Sequence, residues 1–165
     1  KSVNEAINTQ PPKNAIVDLR FDTGGDNTQN RDLMKLIAEK IPGRIYLLIG
    51  NYTFSAGIAS AAALAHDGGS KVTIVGSEIA DRMHWWSEHH DPICMPSSKV
   101  CFDINSGYWD LVNGCKENPK CYGDQFNVNV PSLEPQLQAP LLSTDWLANR
   151  DPGIEVIVAD LQKQK

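Results

Sequence analysis

The stretch Asn51–Ala65 reads N-Y-T-F-S-A-G-I-A-S-A-A-A-L-A and decides how the surrounding chain folds. Just before it, Arg44–Gly50 is a short β-branched, aromatic and apolar run that predicts a buried strand. The segment Phe54–His66, which begins inside this stretch, is rich in Ala, Ile and Leu, which favour a closely packed helix. One serine, Ser55, therefore lies at a predicted strand-to-helix turn.

Two interpretations of this serine are open. The first N–H groups of a helix lack intrahelical acceptors, and the helix dipole adds partial positive charge there. These conditions suit a nucleophilic hydroxyl beside a developing oxyanion. Ser and Thr also cap helices very often, so the alternative is that Ser55 or Thr53 simply caps the helix.

A second stretch, Ala15–Asp26, reads A-I-V-D-L-R-F-D-T-G-G-D and predicts a strand followed by a turn with paired glycines. Adjacent glycines let the backbone approach a ligand closely, although an ordinary turn is their usual role. We predict that Asp18 and Arg20 form a structural charge pair. We also predict strand Asn14–Phe21 and helix Thr28–Ile41 within this part of the chain.

The strand Lys71–Gly76 completes a β-α-β-α-β run, which predicts a parallel sheet. Successive βα turns of a parallel sheet lie at the same edge, beyond the carboxyl ends of the strands. We therefore expect Gly24, Gly25 and Ser55 to meet in space.

These motifs resemble a known family. The D-L-R-x-x-x-G-G segment, the T-x-S-A turn and the V-G strand ending resemble the C-terminal processing (tail-specific) serine peptidases, which include the tricorn protease core. Val130–Glu134 and Trp146–Gly153 resemble the family's ending, a proline-bearing linker and an Arg-Asp-Pro helix start. The resemblance covers Asn14–Leu161 and implies an α/β fold of the ClpP/crotonase type, with a parallel β-α-β core.

The resemblance also implies a function, which is serine-type hydrolysis of peptide bonds in peptide or protein substrates. Ser55 would be the nucleophile. The backbone N–H of Ala56, together with that of Gly24 or Gly25, would form the oxyanion hole. In this family the first strands precede the point that corresponds to Lys1, so we expect an upstream part of the same polypeptide to complete the domain.

The general base is not identified by the motifs. The family's lysine follows the third strand, where this chain reads G-S-E-I-A-D-R, and Arg82 cannot act as a base because arginine stays protonated. Three explanations stay open. The base comes from the upstream part, as a histidine does in the tricorn-like branch; or it is local, His84 or His89 assisted by Glu88; or catalysis has been lost.

Beyond the third strand the chain changes character. Ser77–Asp91 concentrates two Trp and three His, which suits either a site-lining loop or hairpin, or a cover over the sheet edge. A β-hairpin is predicted from Ile93–Met95 and Val100–Ile104, and a further strand from Gly107–Val112. Leu133–Leu142 is expected to be extended without regular structure.

Helices are predicted at both ends of the chain. The first spans Ser2–Asn8 and ends before Pro11-Pro12. The last, Asp151–Gln162, is expected to close the fold with Pro152 in its first turn. We expect three apolar side chains of this helix to face inward, those of Ile154, Val158 and Leu161.

Composition limits the class of protein. The 165 residues are 41% hydrophobic and 21% charged, which is typical of one globular domain. We divide it into a core (14–91), a Cys-rich hairpin and loop (92–125), and a linker with the closing helix (126–165). A net charge of −5 without a basic cluster argues against nucleic-acid partners. No transmembrane segment, cofactor or metal is predicted.

The four cysteines lie in one irregular region. We favour the pairs Cys94–Cys101, across the hairpin, and Cys115–Cys121, closing a loop. A four-cysteine zinc site is the alternative, but the spacings lack a C-x-x-C knuckle. Two disulfides predict an extracytoplasmic protein, whether secreted, periplasmic or on the cell surface.

Two other functions fit the same pattern. The first is a catalytically degenerate module that binds a peptide or an apolar ligand in the cleft. The second is a crotonase-like enzyme that polarises a thioester, although binding a CoA phosphate would favour a basic cluster, and the chain has none.

Overall fold

The structure is a computed structural model that describes residues 2–89, 92–116, 121 and 127–163, with Glu88 and His89 described as backbone only. The chain forms two compact units. The first contains residues 1–81 and 132–165, and the second contains residues 82–131. That the chain is a single domain stays a prediction.

The first unit is a mixed α/β structure around a parallel sheet, as predicted. Its strands are β1 (Ala15–Asp18), β2 (Ile45–Ile49), β3 (Val72–Gly76) and β8 (Leu137–Gln138). The sheet order is β1-β2-β3-β8. Strand β2 is buried at every position because it lies between two neighbours and under helices on both faces.

Five α-helices belong to the described part of this unit. The helices are α1 (Val3–Thr9), α2 (Thr28–Lys40), α3 (Ala56–Gly68), α4 (Ser143–Leu147) and α5 (Pro152–Lys163). Helix α1 is capped by the Ser2 hydroxyl, which accepts a hydrogen bond from the Glu5 N–H at 3.2 Å. Helices α2 and α3 pack against each other, and a short 3-10 turn, Gly69–Lys71, leads from α3 into β3.

Alternation along β2 separates the two faces of the sheet. Tyr46 and Leu48 point to one face, where they form a buried cluster with Ile157 of α5. Ile45 points to the opposite face, where Gly68 at the end of α3 lies close to it. The β-α-β-α-β reading of the sequence is thus confirmed, with α3 and α5 on opposite faces.

Two expectations about the C-terminal part were wrong. The stretch Leu133–Leu142 is not wholly irregular, because Leu137–Gln138 pairs in parallel with Val75 and Gly76 as a fourth strand. In α5, Ile154 and Val158 are 36% and 46% exposed, and the fully buried residue is Ile157. Leu161, the third residue expected to face inward, does pack against the buried cluster. The buried stripe is shifted because tight packing of Gly153 against Leu48 sets the rotation of the helix.

An arginine clamp joins β1 to α5. The buried Arg20 guanidinium donates to the Asp18 carboxylate at 2.6–3.0 Å and to the Asp151 carboxylate at 2.8–2.9 Å. Asp151 also accepts from the Ile154 N–H at 3.1 Å, so it caps α5 while pairing with Arg20. The predicted structural role of Asp18 and Arg20 is therefore confirmed, with Asp151 as an additional partner.

The second unit is built from antiparallel pairs. Strand β4 (His84–His89) pairs with β7 (Asn105–Asp110), where Trp85 and Trp109 stack with ring centroids 5.7 Å apart. Strand β5 (Ile93–Cys94) pairs with β6 (Cys101–Phe102). The structure joins Cys94 to Cys101 and Cys115 to Cys121, so both predicted disulfides are confirmed.

Among the described residues, no helix is both long and apolar enough to cross a bilayer.

We predict that Asp151→Asn lowers the free energy of unfolding by about 1 kcal/mol at neutral pH, less than for a fully buried pair because the carboxylate is partly exposed. Hydrogen bonds from Arg20 lower the pKa of Asp151 below its ordinary 3.8. This stabilisation is therefore present above pH 3.8 and is lost as the pH falls through the lower folded-state pKa. Urea unfolding across this pH range measures it.

The matched control is Glu155→Gln, which removes the exposed partner of Arg150. Asparagine at 151 still offers an oxygen to cap α5, so the change in the free energy of unfolding reports the loss of the ion pair with Arg20 and not the loss of the cap. Equal effects of the two substitutions at neutral pH would contradict the clamp.

Candidate functional site

Ser55 has a strained backbone. It lies between β2 and α3 with φ 51° and ψ −120°, a conformation that non-glycine residues rarely adopt and that costs about 1–3 kcal/mol. Such strain persists where the surrounding structure holds it, and it is typical of functional turns. A serine held at a sharp strand-to-helix turn is also the arrangement of the nucleophile elbow.

The capping alternative does not hold. The Ser55 side chain makes no capping hydrogen bond to α3. Thr53 is fully buried, and its hydroxyl accepts from the Gly50 N–H at 3.0 Å and donates to the Leu19 carbonyl at 2.8 Å. Thr53 thus ties the turn to the end of β1, and helix capping does not account for Ser55.

The glycine turn lies against Ser55, as the sheet topology predicted. The Phe54 N–H donates to the Asp22 carbonyl at 3.0 Å. A Cβ atom on Gly24 would lie 2.7 Å from the Ser55 Cβ, and one on Gly57 would lie 2.4 Å from the Asp22 carbonyl oxygen. Only glycine at these two positions permits the approach without displacement.

Two backbone donors remain for an oxyanion. The Ala56 N–H is the first of α3 and has no acceptor within the helix. The Gly24 N–H donates to the Asp22 carboxylate at 3.0 Å. The Gly25 N–H makes no hydrogen bond to any part of the chain that the structure describes. The sequence analysis left the second oxyanion donor as either Gly24 or Gly25. The arrangement favours the Gly25 N–H as the donor that acts with the Ala56 N–H.

The candidate bases lie in the second unit, which Arg82 begins and where His84 starts β4. His84 and Glu88 are four residues apart on this strand, a separation of about 13 Å. Asp110 of β7 lies directly opposite His84. The pairing of His84 with Glu88 stays a prediction, and the Glu88 side chain is outside the described set.

Asp110 is a carboxylate that the sequence reasoning missed. Burial raises its pKa, but hydrogen bonds from Asn113 and Val112, together with the nearby His84, lower it by a larger amount. The net pKa is therefore below the ordinary aspartate value. Asp110 is thus suited to stay ionised beside His84. The strand register that pairs them is not visible in sequence.

An aromatic cleft follows the carboxyl ends of the sheet strands. Its volume is about 90 Å³, and Phe21 and Tyr52 stack at its wall with ring centroids 6.2 Å apart. The two residues are 59% and 63% exposed. Leu141 lines the cleft and also a neighbouring depression that Trp146 borders. These residues were not singled out in the sequence, although large aromatics directly after strands are a usable signal.

No group of three or more His, Cys, Asp or Glu in the described ranges could hold a metal ion. Comparisons with protein-family models, with curated proteins and with solved structures found no match.

We predict that Gly24→Ala destabilises the protein more than Gly25→Ala. Both glycines have positive φ, 100° and 133°, so each substitution carries a backbone strain of about 1–3 kcal/mol. A methyl group on Gly25 would enter open space, whereas one on Gly24 would meet Ser55. Urea unfolding of both variants gives the difference, and equal losses would show that the turn is not this close to Ser55.

Proposed function

We propose that this protein is a serine-type peptidase that cleaves peptide bonds of peptide or protein substrates through Ser55. The observation that carries the proposal is the strained backbone of Ser55 at the start of α3, with its hydroxyl not used as a cap. The proposal includes membership of the C-terminal processing family and the ClpP/crotonase-like fold, which the parallel core and the two converging motifs support.

The chemistry follows from the turn. The Ser55 hydroxyl oxygen attacks the substrate carbonyl carbon while its proton passes to a general base. The N–H groups of Ala56 and Gly25 stabilise the resulting oxyanion, and each lowers the activation free energy by about 3 kcal/mol. The intermediate then expels the amine, which takes the proton from the base, and water hydrolyses the acyl ester.

The base remains to be assigned. His84 is one candidate, and Asp110 lies opposite it across the strand pair. A residue of an upstream segment is the other. Arg82 is excluded because a guanidinium does not give up its proton.

The aromatic cleft suggests where a substrate binds. Phe21 and Tyr52 offer exposed ring faces at the edge of the sheet, where parallel sheets bind ligands. Two disulfides support an extracytoplasmic location. We propose no cofactor and no nucleic-acid partner.

A binding module without catalysis is the second candidate. The observation in its favour is that the described first unit, which holds Ser55, has no His, Lys or carboxylate hydrogen-bonded to the Ser55 hydroxyl. In that case the aromatic cleft would hold a peptide or an apolar ligand, and Ser55 would be unreactive.

We expect a fluorophosphonate probe to modify Ser55, because an activated serine attacks such a probe whereas an ordinary hydroxyl does not. Peptide mass mapping identifies the modified residue. Ser55→Ala should abolish labelling, and Ser77→Ala, which removes a hydroxyl at the same sheet edge, should not.

His84→Ala then tests the local candidate for the base. A loss of about 10²–10⁴ in labelling rate would assign the base to His84, and an unchanged rate would exclude His84 as the base. An unlabelled protein that still binds peptides would support the binding module and contradict the peptidase.

We also predict that Asp22→Ala slows labelling of Ser55, because the Asp22 carboxylate holds the Gly24 N–H and so orients the glycine turn. Asp22→Asn keeps an acceptor oxygen and should restore most of the rate. Asp26→Asn is the control, since that carboxylate bonds Thr28 and not the glycines. If the two Asp22 variants label equally slowly, the charge matters and the positioning role is wrong.

A further inference from the structure

The aromatic cleft continues into the depression beside it. The cleft has a volume of about 90 Å³, and the depression has a volume of about 270 Å³. Phe21 and Leu141 border both cavities, whereas Tyr52 lines the cleft and Trp146 lines the depression. The two cavities therefore form one groove on the first unit.

The cleft lies close to the proposed nucleophile. Tyr52 is three residues before Ser55, so the Cα atoms of the two residues lie within about 11 Å of each other. Phe21 precedes Asp22, whose carbonyl accepts the Phe54 N–H at 3.0 Å. An extended peptide advances about 3.3 Å per residue. A peptide whose scissile bond lies at Ser55 therefore reaches the cleft within about three residues, and the depression adjoins the cleft.

The lining of the cleft favours an uncharged, apolar side chain. Ile49 is fully buried in this lining, and Ala139 is 5% exposed. The charged group beside them is the Arg20 guanidinium, which already donates to the Asp18 and Asp151 carboxylates. A charged side chain that entered the cleft would lose its hydration without gaining a partner of opposite charge, which is costly.

The depression favours a larger, aromatic side chain. It is the larger of the two cavities, and Phe21 and the 70% exposed Trp146 border it. Arg150 also lines it, and Glu155 holds the Arg150 guanidinium by two hydrogen bonds at 2.6 and 3.1 Å. A guanidinium fixed in this way offers a planar face on which an aromatic ring stacks.

The separation of the two cavities matches alternate residues of an extended peptide. Groups that contact one side chain from opposite sides lie about 7–8 Å apart, which is twice the carbon–carbon contact distance. Phe21 and Leu141 border both cavities, so the occupants of the two cavities have about this separation. In an extended strand, side chains two residues apart point to the same face and lie about 6.4–6.8 Å apart, whereas adjacent side chains point to opposite faces.

We propose that this groove recognises an extended peptide by two alternate side chains. An aliphatic side chain such as that of Leu or Val occupies the cleft, and an aromatic side chain occupies the depression. The inference rests on the proposed function, since the occupant is the peptide that Ser55 cleaves, and it adds the class of substrate. Tyr52 and Trp146 are then the specificity-determining residues, one for each position.

Fluorescence anisotropy of labelled peptides on the intact Ser55→Ala chain tests the proposal, because this variant cannot cleave them. The peptides carry one Leu and one Phe among Ser and Gly residues, either adjacent, one residue apart or two residues apart. Both orders of Leu and Phe are included, because the binding site fixes the chain direction. In one of the two orders, we expect the one-residue separation to bind about tenfold more tightly than the others, since it alone buries both side chains.

Two substitutions separate the two positions. Tyr52→Ala should remove the preference for Leu and leave the preference for Phe, and Trp146→Ala should do the opposite. Double-mutant cycles with peptides in which Leu or Phe is replaced by Ala measure each coupling. Phe102→Ala is the matched control, since Phe102 is 54% exposed in the second unit and should change neither preference.

Gly50→Ala tests the size limit of the cleft. A Cβ atom at this position would lie 3.4 Å from the Ser77 Oγ and 3.7 Å from the Arg20 Cγ, both on residues that line the cleft. The methyl group therefore narrows the cleft without a clash. We expect the Leu peptide to lose about fivefold in affinity and the peptide with Ala in its place to be unaffected. Circular dichroism establishes that each variant is folded.

The proposal is overturned if all separations bind equally, if no peptide binds, or if Tyr52→Ala and Trp146→Ala each reduce both preferences equally. It is also overturned if Phe102→Ala weakens binding as much as they do. The outcome is distinguishable from that of the proposed function. Labelling of Ser55 by the fluorophosphonate without peptide binding would contradict the groove alone. Binding with the expected separation but without labelling would support the groove and contradict the peptidase.

Discussion

The contact between the turn after β1 and the first turn of α3 is the constraint on which the candidate site depends. The Asp22 carbonyl accepts the Phe54 N–H and lies where any side chain on Gly57 would collide with it. With the two backbones this close, Ser55 is held in a conformation that it would not adopt in a free loop. The strain at Ser55 is therefore maintained by its neighbours, which is how a site is preorganised.

Arg20 connects this contact to the rest of the first unit. It lies two residues after the end of β1, binds Asp18, the last residue of that strand, and binds Asp151 at the start of α5. A guanidinium suits this position because its planar fork satisfies two carboxylates at once. The residue after Arg20 begins the turn that leads to Asp22, so the clamp fixes the point from which the glycine turn departs. Arg20 thus contributes both to the stability of the first unit and to the geometry of the candidate site.

The two units solve the problem of stability in different ways. The first buries an apolar sheet between helices, with β2 inaccessible along its whole length. The second has short antiparallel pairs, which bury little, and it carries both disulfides. Cross-links compensate for a small core chiefly by restricting the unfolded chain. The even number and close spacing of the cysteines already indicated that disulfides stabilise the irregular part of the chain.

The sequence by itself determined the β-α-β-α-β core of the first unit, its parallel strands and the cysteine pairs, because hydrophobic periodicity, turn residues and short loop closures are local properties. It also predicted that Gly24 lies beside Ser55, because the βα connectivity places both turns at one edge of the sheet. Only the tertiary structure decided which face of α5 is buried, that Leu137–Gln138 pairs as a strand, and that Asp110 lies opposite His84. These features depend on helix rotation and strand register, which long-range packing sets and local sequence does not encode.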